Sequence, residues 1–311
     1  MEAFKVLVTG SNGLCGSAIQ RLSKFSYHNF VFSTRKDADL RDPGETSRLI
    51  SEVKPDCVIH TAAKVGGVGM NLKIPYTLCS ENLYINNNVI RACVDNRVEQ
   101  LMAFSSVCVF PDDCKVLSED NMHGGPPHDG TLGYAHSKRM VDVLMECASR
   151  EFGDNNWTSI IPGNIFGPAD LYDEEFGHCI PSLIAKMYFA KKNGLPLKVW
   201  GNGESEREFI YVDDLARVLI ESIGRQMPRR LMVCGRKSLK IREVVGILSE
   251  VADWKGIIWE TEKPNGQAAR PSDKTVFDKT FPNFVYSDIH ESMRETWNWF
   301  VDNYPNVRSK Y

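Results

Sequence analysis

No stretch of the 311-residue chain approaches the roughly 18–20 consecutive apolar residues that cross a bilayer, so a membrane-spanning protein is not expected. An excess of either charge is also lacking: 37 Lys and Arg face 40 Asp and Glu, for a formal net charge of −3. Such a balance gives no general attraction to nucleic acid or to a membrane surface, and leaves room only for local basic pockets. The nine cysteines include no Cys-x-x-Cys pair and are odd in number, which argues against a zinc signature and a disulfide framework. A reducing compartment, the cytoplasm, is therefore expected, with no metal. Nor does a charged-then-apolar leader open the chain: "MEAFKVLVTG" runs straight into a strand-like segment, and no cleaved signal is predicted. Repeats, low-complexity tracts and flexible linkers are missing too.

What is present is an ordinary globular composition, 42% hydrophobic and 25% charged, over a length that suits one large or two medium domains. Apolar runs alternate with helical patterns through the first half. "FKVLVTG", "FVFSTR" and "DCVIHTAA" read as strands, and "GSAIQRLSKF" as the helix after the first of them. A helix over 81–96 precedes the strand "QLMAFSSVCVF", and the long helix "GYAHSKRMVDVLMECASREFG" precedes the strand "WTSIIPGNIFGP". This alternation predicts an α/β fold, a Rossmann-type doubly wound parallel sheet with a smaller mixed α/β substrate domain. Beyond Pro168 the rhythm loosens, and it returns in "REFIYVDDLARVLIESI". Residues 1–168, with 205–235 returning to them, are expected to form the nucleotide-binding domain, and 169–204 with 236–311 the substrate domain.

Gly10, Gly13 and Gly16 in "TGSNGLCGSAI" fall between the first strand and the first helix. Glycines there permit a tight turn, close approach of backbone to a pyrophosphate, and close helix–sheet packing. The phosphates then meet the free N–H groups and positive end of the helix. A dinucleotide cradle is expected from Gly10, Ser11, Asn12, Gly13, Leu14, Cys15 and Gly16. At the end of the second strand an acidic residue would bind the ribose hydroxyls of NAD. "STRKD" offers Arg35 and Lys36 instead, which favours NADP(H). Asp39 and Leu40 follow at the point where an adenine edge is read.

"YAHSK" places Tyr134 and Lys138 four apart on one helical face. A neighbouring ammonium lowers a phenol from its usual pKa of about 10 toward a useful range. Together with the Gly loop and a strand ending near Ser106, this pair resembles the extended short-chain dehydrogenase/reductase superfamily. "TAA" at 61–63 and "REFIYVDDLA" at 207–216 carry the resemblance over nearly the whole chain. It implies that Ser106 bonds a substrate carbonyl, that Tyr134 exchanges its proton, and that a nicotinamide supplies hydride.

Cys108 lies two residues after Ser106, on the same face where the chain is extended. A simple reductase has no use for that thiol. "AAKVGGVGMN", "SSVCVFP", "GHCIPSLIAK" and "VWGNGESEREFIYVDDLA" resemble the GDP-L-fucose synthase family, the 3,5-epimerase-4-reductases of GDP-4-keto-6-deoxy-D-mannose. The resemblance implies that Cys108 and His178 are the acid/base pair of epimerisation and that GDP-L-fucose is the product. The chemistry asks for such a pair independently, because a 4-keto group acidifies the hydrogens on C3 and C5. A thiol of pKa about 8.5 and an imidazole of about 6.5 can each serve near neutrality.

By the same resemblance Ala62, Ala63, Ser105, Pro162, Asn164 and Ile165 join Lys138 and His178 around the cofactor. Lys186, Trp200, Arg207 and Arg270 bind the GDP-sugar: cations suit a diphosphate, and an indole gives a base or sugar a flat wall. Arg207 has a structural alternative, an ion pair with Asp213 or Asp214. Departures are Pro162-Gly163-Asn164 for the family's Pro-Thr-Asn, and Gly167-Pro168-Ala169-Asp170-Leu171 for Gly-Pro-His-Asp-Asn. The second leaves fewer polar groups near the nucleotide. Lys263-Pro264-Asn265-Gly266 keeps a family-like turn. Cys15, Cys57, Cys147 and Cys179, without visible acid–base partners, are read as packing. Wide apolar arcs on the helices over 82–96 and 134–152, including Met140, Val141, Val143, Leu144 and Met145, predict a homodimer.

Two other readings share the fold: an NAD-recycling 4-epimerase or 4,6-dehydratase, and a non-catalytic NADP sensor. A dehydratase would want a carboxylate where Val107 and Cys108 stand, and a sensor has no use for Ser106, Tyr134 and Lys138. Finally, Ser309-Lys310-Tyr311 resembles a peroxisomal address with Tyr for the usual Leu, and keeps a microbody as the alternative compartment.

Overall fold

In the computed structural model, which describes residues 2–153, 155–263 and 270–309, the apolar runs of the first half become an all-parallel sheet. Its six strands lie in the order β2-β1-β3-β4-β5-β9. They are β1 (Lys5–Thr9), β2 (Asn29–Ser33), β3 (Cys57–His60), β4 (Gln100–Phe104), β5 (Asn156–Pro162) and β9 (Arg230–Val233). Every residue of β3 and β4 is buried. A parallel strand covered by helices on both faces has no solvent side, so continuous runs such as "CVIH" and "QLMAF" replace alternation.

The crossover helices are α1 (Leu14–Leu22), α2 (Pro43–Val53), α3 (Val68–Lys73), α4 (Pro75–Asp95) and α5 (Leu132–Phe152). On one face Val58, Leu101, Val89 and Val141 belong to a core shared with α4 and α5. On the other, Val6, Val8, Ala18 and Ile19 pack with Leu215 and Leu219 of α7 (Val212–Glu221). Helix α2 starts where Asp42 accepts the Glu45 N–H at 2.8 Å and Pro43 takes the first helical position.

The expected strand over 157–168 is in fact two. At Gly163 the chain leaves the main sheet, and β6 (Asn164–Phe166) pairs with β8 (Glu206–Tyr211), which also pairs with β10 (Ser238–Lys240). A Cβ at Gly163 would sit 3.2 Å from the Glu208 carbonyl oxygen, so the crossing backbones leave little space for a side chain. The remaining elements are α6 (Cys179–Asn193), β7 (Leu197–Trp200), α8 (Ile241–Ala252), β11 (Ile257–Glu260), α9 (Thr275–Thr280) and α10 (Ile289–Asn303), with β7 and β11 in a parallel pair. Among the described residues no helix is long and apolar enough to cross a membrane.

One buried ion pair ties α5 to the returning strand β9. Asp142 receives two bonds from Arg230, both 2.8 Å, and lies 2.7 Å from His123 Nε2. Burial alone would raise this carboxyl; the bonds from Arg230 and His123 outweigh it and hold the group below its ordinary value. A depressed carboxyl contributes stability above its unfolded pKa and loses it as pH falls. Asp142→Asn is expected to cost about 2–3 kcal/mol at neutral pH, measured as a shifted denaturant midpoint. The gap to the parent should close below about pH 4.

Candidate active site

Strand β1 is flanked by β2 on one side and β3 on the other, so the crossovers part at its carboxyl end and open a crevice there. Gly10 turns the chain with φ +71°, and a Cβ on it would lie 2.7 Å from Ala62 Cα. A Cβ on Gly16 would lie 2.4 Å from the Gly10 carbonyl oxygen. Gly13 caps α1 with no side-chain bond, which leaves the first-turn N–H groups for another acceptor. Ser11 is buried, with Oγ donating to the Ser33 carbonyl at 2.9 Å. Asn12 is exposed, and Leu14 and Cys15 are half-buried. This cradle suits a pyrophosphate: the glycines let the loop pack tightly against α1 and the chain just beyond β3, with the first-turn N–H groups left at its mouth.

Arg35 and Lys36 lie exposed just beyond β2. Asp39 holds Arg41 at 2.5 Å; that bond pulls its carboxyl down to about 2, so the side chain is already committed. Leu40 is buried, and Ala62 and Ala63 are half-buried beyond β3.

Lys138 is buried, with Nζ 2.9 Å from the Phe104 carbonyl oxygen and 6.0 Å from the Tyr134 ring centroid. Burial pushes its ammonium down to about 8, while Cys15 pulls the other way. His60, between Thr9 Oγ1 at 2.7 Å and Asn86 at 3.2 Å, is pushed down to about 3 by burial and by the Lys138 charge. It is a neutral neighbour. Ser105 Oγ donates to the Lys138 carbonyl at 3.2 Å and so locks the end of β4 to α5.

The chain through "SSVCVF" is not the expected strand. Pairing of β4 with β5 stops at Phe104, and Val107–Val109 form a single 3-10 turn capped by Ser106. Ser106 Oγ accepts the Cys108 N–H at 3.2 Å, so hydroxyl and thiol are neighbours through a turn rather than through strand alternation. Burial raises the Cys108 thiol; the Ser106 hydroxyl, Arg270 and Arg207 pull against it without prevailing.

The ion-pair alternative for Arg207 does not hold. Asp213 is taken by Arg21 at 2.5 Å, and Asp214 by Arg217 and Ser287. Arg207, on β8, instead interacts electrostatically with Cys108, Cys179 and Arg270, while Arg270 is fixed by a 2.9 Å bond to the Pro111 carbonyl. Two guanidinium groups beside a thiol make a strongly anion-attracting corner. Further out, Lys186 and Lys263 lie 5.9 and 5.8 Å from the centroid of the Trp200 ring, which is 62% exposed. Pro264, Asn265 and Gly266 of the family-like turn lie outside the described residues.

His178 caps the N-terminus of α6 through its backbone, with no side-chain capping bond. Its Nδ1 is 4.0 Å from Asp170 Oδ1. Asn164 Nδ2 donates to the Glu208 carbonyl at 3.1 Å; Pro162 is buried and Ile165 half-buried at the same end of the sheet. Two cysteines read as packing are exposed: Cys147 on α5, and Cys179 at the first position of α6, where it feels Arg207 and Lys186. Sequence reasoning missed His60 and the side chain of Asp170. A lone His at a strand end carries no signal. Asp170 stood in a quoted motif without a role.

Residues 6–234 match the NAD dependent epimerase/dehydratase family. The chain belongs to that family. Within it, the chain is 36% identical to the GDP-L-fucose synthase of Dictyostelium discoideum over 97% of each sequence. It is 31% identical to the probable GDP-L-fucose synthase of Drosophila melanogaster, over 98% of this chain and 99% of the relative. A crystal structure of a GDP-L-fucose synthetase from Naegleria fowleri bound to NADP superposes with a TM-score of 0.91 at 33% identity, covering 98% of this chain and 95% of that one. The fold is thus the Rossmann-type doubly wound sheet of the family's nucleotide-binding members.

Proposed function

We propose that this protein converts GDP-4-keto-6-deoxy-D-mannose to GDP-L-fucose by 3,5-epimerisation and NADPH-dependent reduction of the C4 ketone. The observation that carries the reading is the thiol of Cys108 against Ser106, facing Arg207 and Arg270. A reductase alone needs the hydroxyl, phenol and ammonium; the additional thiol beside an anion-attracting corner serves proton transfer on a substrate that carries phosphate. The full-length similarity to GDP-L-fucose synthases supports the same substrate.

Bound NADPH supplies a hydride to C4. Arg35 and Lys36 offer cations to its 2′-phosphate, and no carboxylate precedes them at the end of β2 to repel it. Cys108 and His178 remove the acidified protons at C3 and C5 and return protons to the opposite faces. Ser106 and Tyr134 donate hydrogen bonds to the C4 oxygen and stabilise the enolate while it carries charge. In the reduction Tyr134 gives its phenolic proton to that oxygen, and the Lys138 ammonium favours the phenolate left behind. Lys186, Trp200, Arg207 and Arg270 hold the GDP portion. The cofactor unit comprises 1–168 with 205–235 and the substrate unit 169–204 with 236–311, with β8 as the seam between β6 and β10. The proposed compartment is the cytoplasm; Lys310 and Tyr311 of the peroxisome-like ending lie outside the described residues.

Incubation with the keto-sugar and NADPH is expected to yield GDP-L-fucose, identified by NMR of the product. Cys108→Ser should slow epimerisation by about 10²-fold or more with the fold intact. A sugar reduced without inversion by the parent protein would sink the epimerase half of the proposal.

A second expectation concerns pH. Lys138 carries its charge only below about 8, so ketone reduction should fall as pH rises through that value. Lys138→Arg, whose charge persists, should remove that descending limb at a lower plateau rate.

The proposed assembly is a homodimer through α4 and α5, which expose Tyr76, Tyr84 and Leu132 to solvent. Light scattering after size exclusion should give twice 35.1 kDa; the monomer mass would remove this element.

A further inference from the structure

Asp170 is 4% exposed, and among the described residues its Oδ2 has no hydrogen-bond partner. Burying an acceptor without a partner costs free energy, and a carboxylate more than most, so this carboxyl group keeps acceptor capacity that no described residue uses. Its other oxygen is anchored: Oδ1 accepts the Leu171 N–H at 2.7 Å. That same oxygen is 4.0 Å from His178 Nδ1.

The backbone is bent to reach this position. Ala169 has φ +68°, a left-handed conformation that a residue with a Cβ rarely adopts. The loop is pinned on its far side, where Tyr172 donates from its hydroxyl to the Gly167 carbonyl at 2.9 Å and stacks on Trp299. Gly67 fixes the other wall of the loop by donating to the Phe176 carbonyl at 2.7 Å. Strain held in place by surrounding contacts, delivering a buried carboxylate to the ring of a candidate acid/base residue, is the pattern of a functional constraint. Among the described residues the titratable groups around the carboxylate are His178, Cys15 and Tyr172; Lys138 and Arg21 lie beyond, acting on Cys15 and Tyr172 respectively.

We propose that Asp170 is the positioning residue of His178: its carboxylate takes the Nδ1–H, fixes the ring's tautomer, and leaves Nε2 as the nitrogen that faces the sugar. The inference rests on the reading of His178 as half of the epimerisation pair. A carboxylate can only accept, so Nδ1 must carry the proton toward it. When Nε2 takes a proton from carbon the ring becomes an imidazolium, balanced by the buried negative charge; when Nε2 returns a proton the ring is neutral again. The 4.0 Å gap is longer than a hydrogen bond, and contacts of this kind tighten when substrate binds.

Two measurements test this. In the parent protein saturated with GDP-L-fucose, nitrogen NMR with labelled histidine should show the neutral His178 ring protonated on Nδ1, a tautomer that Asp170→Asn should no longer enforce. The Nε2–H tautomer in the parent overturns the proposal whether or not the variant folds. In parallel, exchange of the C3 and C5 hydrogens of GDP-4-keto-6-deoxy-mannose with deuterium oxide is followed with NADP+ bound, so that no reduction occurs. Asp170→Asn should slow exchange roughly 10- to 100-fold. The hydride step of GDP-L-fucose oxidation by NADP+, which uses Tyr134 and Lys138 and precedes any exchange at C3 or C5, should be unchanged. Unaltered exchange, or an equal loss of both activities, overturns the positioning role. If the parent neither exchanges nor oxidises these sugars, the functional reading fails, and the tautomer still decides the place of Asp170.

Discussion

Lys138 keeps its ammonium inside the protein, bonded to the Phe104 carbonyl at the end of β4, and much of the crevice follows from that buried charge. An isolated buried ammonium costs several kcal/mol, and here burial already brings its proton affinity down to about 8. The neighbours respond accordingly. Burial and the Lys138 charge keep His60 neutral, burial and Asp170 keep Cys15 a thiol against the pull of that charge, and Ser105 uses its hydroxyl to tie the Lys138 backbone to the same strand end. The charge is thereby held 6.0 Å from the Tyr134 ring by main-chain atoms of a central strand.

The two chemistries proposed for the site draw on different parts of the fold. Hydride and phenol chemistry sits on β1, β4 and α5, where positions are set by the sheet. Proton exchange at carbon would be served by Cys108 on a 3-10 turn and His178 at the end of an irregular loop. Arg207 and Arg270 border the second group, so the thiol and the charges proposed to hold phosphate share one electrostatic environment. A substrate diphosphate seated there would offset the very cations that oppose the rise in the Cys108 pKa. Binding and proton affinity are coupled through that corner.

How much of this was legible in the sequence depends on the range of each interaction. The Gly10, Gly13 and Gly16 cradle, and Tyr134 with Lys138, are local patterns whose spacing carries the geometry. The sheet was legible because β3 and β4 are apolar at nearly every position. Ser106 and Cys108 were paired correctly for an incorrect reason, since the strand ends before them and a turn brings them together. That Asp213 and Asp214 are engaged elsewhere depends on Arg21, from the far end of the chain, and on Arg217 and Ser287. The break at Gly163 depends on the backbone of β8 crossing beside it. Neither Asp170 nor His60 could be singled out, because their meaning lies in burial and in partners that no spacing rule encodes.

The departure of the chain at Gly163 also bears on how the protein is made. Strand β5 has its outer partner in β9, whose Arg230 lies opposite Ser159, so about 70 residues must be synthesised before that edge is covered. During translation, β1 to β5 can pair while β5 still presents a bare row of N–H and C=O groups. The intervening segment emerges first, and part of it must find β6 before the sheet can close. A ribosome that pauses after β5 has left it and while β9 is still inside would therefore hold out a nearly complete nucleotide-binding sheet with one sticky margin, a form of nascent chain suited to a chaperone.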